Sequence, residues 1–82
     1  MFKPGIYQHY SGKLYHAMGI CRHSETLEEM VLYRALYDDY GIWVRPKKMF
    51  NEMVHVNGAL VSRFVFIKDI DLEAPQLHKA AF

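Results

Sequence analysis

A single cysteine, Cys21, stands in the 82 residues. No disulfide can close within the chain, so a reducing compartment is the expectation. Net charge is also scarce. Ten Lys and Arg against nine Asp and Glu leave a formal +1 and a pI of 7.9. A typical nucleic-acid-binding domain has a pI above roughly 9, and this chain is far from that basic balance. No apolar run approaches the roughly 20 residues of a membrane span. The opening MFKPGIYQHY lacks an apolar core of signal-peptide length. A small cytoplasmic domain is expected. Neither His-x₃-His nor Cys-x₂-Cys occurs, so the pairs that mark the commonest zinc sites are missing. No stretch matches a cofactor motif, and no cofactor or metal is expected.

What is present is apolar and aromatic. Hydrophobic residues make up 51% and aromatics 15% of the chain, too much for a disordered protein. The length allows one domain and no second core. Such a domain buries only about 60% of its unfolded surface, so modest stability is expected.

The stretch His23 to Phe50 organises the rest. Before it, Pro4-Gly5 marks a turn, Ile6 to Tyr10 a short strand with Tyr7 and His9 on one face, and Ser11-Gly12 a second turn. Lys13 to Cys21 reads as a strand whose Gly19 marks a bulge or a close backbone approach. Arg22 to Glu29 is a polar break. A helix capped at Ser24 competes with this reading, but Leu27 occupies the position where a capping box needs Glu or Gln. Met30 to Tyr37 is then a strand covered on both faces. Asp38 to Gly41 is a turn, Ile42 to Arg45 a strand ended by Pro46, and Lys47 to Met53 holds one helical turn. Asn57-Gly58 is the best hairpin signal, and Leu60 to Ile67 the last strand. Leu32, Val44, Phe64 and Phe66 are the expected core. Residues 1–67 form the domain. Residues 68–82 form a tail, either a short helix docked by Leu72, Leu77 and Phe82 or disordered. The fold class is mainly β: a small SH3-like, partly open barrel or rolled antiparallel sheet of five to six short strands, with one helical turn before the last.

An ordered set of short motifs adds a resemblance. Gly5-x-Tyr7-x-His9-Tyr10, Gly12-x-x-Tyr15, His23-Ser24-Glu25-Thr26, Tyr33-Arg34-x-Leu36-Tyr37, Trp43-Val44-Arg45-Pro46, Met49-Phe50-x-Glu52 and Arg63-Phe64 together resemble the small bacterial domain-of-unknown-function family 1653. The resemblance runs from about Gly5 to Ile67. It implies a compact, mainly β bacterial domain, found alone or joined to others, and brings no established activity with it. The chain departs from the family pattern at Asp38, where a glycine is expected; that bears on the geometry of the turn.

The candidate chemistry is thin. Cys21 and His23 sit two apart, as a thiolate–imidazole pair would, but no orienting group or oxyanion hole accompanies them. A small buried cysteine is the ordinary reading. His9, His16 and His23 recur every seven residues, which in strands alternates faces. His23-Ser24-Glu25-Thr26 offers amides for an anion nest; local side-chain bonds that satisfy the turn are the alternative. Arg34, Arg45 and Arg63 each interrupt an apolar run. With Tyr33, Trp43 and Phe64 beside them, they suit a groove for a phosphate-bearing ligand, a nucleotide or single-stranded nucleic acid. The plainer reading pairs them with Glu25, Glu28, Glu29 or Glu52 on an outward face. The expected function is therefore a binding module, with His23, Ser24, Glu25, Thr26, Tyr33, Arg34, Trp43, Arg45 and Arg63 as its site. A structural or protein-interaction domain is the first alternative. An enzyme or accessory domain using His23 is the second.

Overall fold

The computed structural model describes residues 2–70; the docked-or-disordered reading of Leu72, Leu77 and Phe82 lies outside them. In chain order the elements are β1 (Gly5–His9), β2 (Leu14–Arg22), β3 (Glu29–Ala35), β4 (Ile42–Pro46), α1 (Lys47–Phe50), β5 (Met53–Val56), β6 (Ala59–Ser62) and β7 (Phe64–Lys68). Five strands form one antiparallel sheet in the order β4-β3-β2-β1-β7, while β5 and β6 form a separate ribbon. The fold is mainly β, as expected. β4 and β7 remain as edges, so the sheet does not close.

Leu60–Ile67 is not one strand. Arg63 divides it: its N–H donates to the Glu52 carbonyl at 2.9 Å, extending the ribbon, and its carbonyl accepts the Tyr10 N–H at 3.1 Å, extending the sheet. One residue thus belongs to both ladders. An unbroken apolar run conceals such a change of sheet, because both halves bury side chains. Lys68, assigned to the tail from sequence, is the last residue of β7.

The other turns follow their chemistry. Asn57 and Gly58 both have positive φ, 50° and 81°, the primed hairpin turn that suits two twisted strands. Gly5 is required by proximity: a Cβ there would lie 2.7 Å from both the Lys68 carbonyl oxygen and the Phe66 ring. In β2 the register shifts between Ala17 and Gly19, the bulge anticipated at Gly19. In the β3–β4 connection Asp38 has φ 51°. This is the position where the resemblance led to a glycine, and the left-handed backbone explains why glycine suits it. The Asp39 carboxylate accepts the Gly41 N–H at 3.1 Å.

The core lies on one face of the large sheet. Tyr7, Ala17, Val31, Tyr33, Phe50 and Phe64 form it, with Phe2, Tyr15 and Phe66 packed against it. Phe64 was expected there, and Phe66 packs at its margin. The other two expected core residues are corrected. Val44 is 52% exposed, and Leu32 is only half-buried. They are cross-strand partners on the outer face, opposite the side that receives Val31 and Tyr33. β3 is apolar on both faces, so alternation alone does not say which face is inside. The single turn α1 decides it. It follows Pro46 directly and delivers Phe50, 1% exposed, onto Phe64 with ring centroids 4.0 Å apart.

Two stability measurements test this. Phe50→Ala is expected to lower the unfolding free energy by about 3–5 kcal/mol, and Val44→Ala by about 0.5 kcal/mol or less. Equal urea midpoints for the two variants would contradict the assigned core. Asp38→Gly is expected to raise stability by up to about 1 kcal/mol, since glycine relieves the left-handed conformation. Asp39→Gly, which removes the acceptor for Gly41, is expected to lower it.

Candidate functional site

Alternation along the inner face leads from the core to a groove. Cross-strand partners share a face, so Tyr15 with Ala35, Ala17 with Tyr33, Tyr33 with Trp43 and Val31 with Arg45 stand on one side. Where the sheet outruns the cover supplied by α1, Tyr15, Tyr33, Tyr37, Trp43 and Arg45 line an open groove of about 240 Å³. Tyr15 and Tyr37 bond through their hydroxyls. Burial, and then the bond to Tyr37, push the Tyr15 hydroxyl well above the usual phenol range. The Tyr15 hydroxyl therefore stays neutral at physiological pH.

Arg45 is the charged group of this groove. Its Nε donates to the Tyr33 hydroxyl at 3.3 Å, and its guanidinium lies 5.8 Å from the Phe64 ring centroid. Among the described residues, no carboxylate lies within ion-pair distance of it. Arg63 differs. Its Nε donates to the Met49 carbonyl at 3.0 Å, and its terminal nitrogen meets Glu52 at 2.9 Å. It clamps the segment between α1 and β5. Arg34 pairs across the ladder with His16 and Ile42, is exposed, and stands on the outer face. The three arginines therefore do not share one surface.

The turn His23-Ser24-Glu25-Thr26 is also apart. The His23 backbone bonds to Glu28, five residues from Tyr33 along β3, which is roughly 16 Å at the rise of a strand. His23 Nδ1 accepts the N–H groups of Glu25 at 3.1 Å and Thr26 at 3.3 Å, and Thr26 Oγ1 accepts that of Glu28 at 3.2 Å. The amides an anion nest would need are already occupied by the turn's own side chains. Of the residues singled out from sequence, Tyr33, Trp43 and Arg45 are brought together. His23, Ser24, Glu25, Thr26 and Arg34 lie elsewhere, and Arg63, which does not line the groove, is held by Glu52 and the Met49 carbonyl.

Sequence reasoning did not place His9, Tyr15 and Tyr37 at this site. All three belong to the short motifs, but only cross-strand pairing shows that they converge. His9 contacts the rings of Tyr10, Tyr15 and Phe64, with centroids 4.2, 6.3 and 5.0 Å away. Its Nδ1 accepts the Ser11 N–H at 3.1 Å. Burial, and then the charges of Arg45 and Arg63, hold its imidazole below the usual value of 6.5.

A larger hollow of about 360 Å³ lies beside α1, lined by Glu28, Glu29, Lys47, Lys48 and Asn51. Its two acids and two lysines balance, and Lys47 meets Glu29 at 3.4 Å, so it carries no net charge to attract a ligand. Among the described residues, no group of three or more His, Cys, Asp or Glu is arranged to hold a metal, and no helix is long and apolar enough to cross a membrane.

His9 makes stability depend on pH. With the folded pKa depressed, the unfolded chain binds the proton first on acidification. The contribution is fully present above pH 6.5 and is lost as pH falls through the folded value. Unfolding free energy should therefore decline as pH drops from 7.5 to 5.5. His9→Gln should flatten that slope, and an unchanged slope would show that His9 does not titrate as placed.

Comparison with known proteins accords with this architecture. The family model described as "Protein of unknown function (DUF1653)" matches residues 5–66. A solved structure, that of a protein belonging to DUF1653 from Bordetella bronchiseptica, is similar at 35% identity and a TM-score of 0.78. The match covers 84% of this chain and 91% of that one. No curated protein matches the chain.

Proposed function

From a chain that belongs to the DUF1653 family of proteins of unknown function, we propose a binding module for a phosphate-bearing ligand. The ligand sits in the groove of Tyr15, Tyr33, Tyr37, Trp43 and Arg45. One observation carries this reading. Arg45 is a half-buried guanidinium among aromatic rings with no carboxylate partner among the described residues. Removing a charge from water is costly unless something compensates it, and Tyr33 supplies only one neutral hydrogen bond. An incoming anion supplies the rest, since the guanidinium fork matches phosphate geometry. Trp43, 59% exposed beside it, offers a flat apolar surface to a ring carried by the same ligand. Nucleotides and single-stranded nucleic acid carry both features.

A structural or protein-interaction domain is the second reading. It is favoured by the outer face, where Leu14, Ile42, Val44, Val65 and Ile67 are all exposed.

The single tryptophan of the chain reports directly on the groove. Its fluorescence is expected to change on titration with inorganic phosphate, pyrophosphate and a nucleoside monophosphate, most strongly with the last. Arg45→Gln should weaken binding by about tenfold or more, the value of a charge-assisted hydrogen bond. Arg34→Gln, on the opposite face, should leave it unchanged. Absence of any response, or equal effects of the two substitutions, would leave the interaction-domain reading in its place.

A further inference from the structure

The groove is one end of a longer aromatic band, and we propose that the band binds an extended single-stranded oligonucleotide crossing the strands. This inference rests on the phosphate-binding reading above. Rings follow one another across four strands. From Tyr10 to His9 the centroids are 4.2 Å apart, from His9 to Tyr15 6.3 Å, and from Tyr15 to Tyr37 5.5 Å. Tyr33, 5% exposed, lies beneath this path as part of the core and pairs across the ladder with Trp43, the next exposed ring. Three interstrand steps make a path of roughly 15 Å, long enough for about three unstacked nucleotides.

The two ends of the band are its most solvent-accessible rings, Tyr10 at 49% and Trp43 at 59%. A mononucleotide on Trp43 would leave Tyr10 unused. Cations stand along the path as a strand backbone requires. The Lys13 ammonium lies 4.7 Å from the Tyr37 ring centroid, near the β1–β2 turn, and Arg45 lies on β4. Neither has a carboxylate within ion-pair distance among the described residues. Glu52 is paired with Arg63, and the Asp39 carboxylate accepts the Gly41 N–H.

The charge composition sets the character of this binding. A net charge of +1 gives little long-range attraction, so affinity comes from stacking and from two local cations. Stacking on aromatic side chains is sequence-tolerant, because every base presents a π-face. The strand is therefore expected to bind with weak sequence preference. The salt dependence should be shallow, with a log–log slope near −1.4 for two phosphate contacts at about −0.7 each.

The experiment is a Trp43 fluorescence titration of the full chain with thymidylate oligomers of one, two, three and five nucleotides, and with tripolyphosphate as a ring-free polyanion. Affinity is expected to rise by about tenfold per nucleotide up to three and then level off, with tripolyphosphate far weaker than the trimer. Tyr10→Ala should abolish the gain from the second to the third nucleotide and leave mononucleotide binding unchanged. If the monomer binds and longer oligomers bind no tighter, the strand is overturned while the phosphate-bearing ligand stands. Tripolyphosphate binding as tightly as the trimer overturns the strand in the same way. If neither the monomer nor any oligomer binds, both readings are lost.

Discussion

The stacking of Phe50 on Phe64 is the contact on which the rest of the structure depends. A sheet of five strands cannot hold itself in water unless one face is covered. Here the cover is a single helical turn, too short to have a stripe of its own. It contributes one ring. That ring is packed parallel to Phe64 and edge-on to Tyr7 and Tyr33, with centroids 5.1 and 5.7 Å away. Through Phe64 the cover reaches β7, through Tyr7 it reaches β1, and through Tyr33 it reaches β3. An aromatic core suits so small a domain, because each ring buries a large area for few rotatable bonds.

The same economy creates the groove that is the candidate site. One turn of helix covers the part of the inner face around Tyr7 and Val31 and stops there. Beyond it the inward alternation of β2, β3 and β4 continues, so Tyr15, Tyr37, Trp43 and Arg45 meet solvent instead of a second layer. The groove is thus the uncovered remainder of the core face. Its walls are rigid because they are strands of the central sheet, and its rings are continuous with the core through Tyr33 and Phe64. A guanidinium in that position is held by the hydroxyl of Tyr33 and the ring of Phe64 rather than by a carboxylate. Among the described residues no carboxylate neutralises it. Arg63 shows the opposite arrangement: its charge is absorbed by Glu52 and the Met49 carbonyl, and its work is to hold the junction between ribbon and sheet.

Most of the strands were legible in the residues. The β-branched and aromatic runs, the Asn57-Gly58 turn, the bulge near Gly19 and the helical turn after Pro46 all follow from local chemistry. The left-handed backbone at Asp38 was foreshadowed by the glycine expected there. What local chemistry did not reveal was the division of Leu60–Ile67 at Arg63, since exchanging one partner strand for another changes no side-chain pattern. Nor did it place Leu32 and Val44 outside. Their run is apolar on both sides, and only the position of Phe50 breaks the tie.

The site was legible in part, for a related reason. Tyr33, Trp43 and Arg45 were identifiable as aromatic and cationic residues on strands. Arg34, one residue from Tyr33, necessarily faces the other way, because successive side chains in a strand alternate. The turn at His23 carries every polar group an anion site needs and uses them on itself. By itself the sequence determined the class of fold, the turns and the kinds of side chain available, all of which depend on residues close together in the chain. The tertiary structure alone decided which face is inside, that Arg45 is half-buried on it with no carboxylate partner among the described residues, and that Tyr15 and Tyr37 meet Trp43 along one groove. Those outcomes depend on antiparallel partners from separate strands and on one helical turn laid over them, and no local pattern encodes such distances.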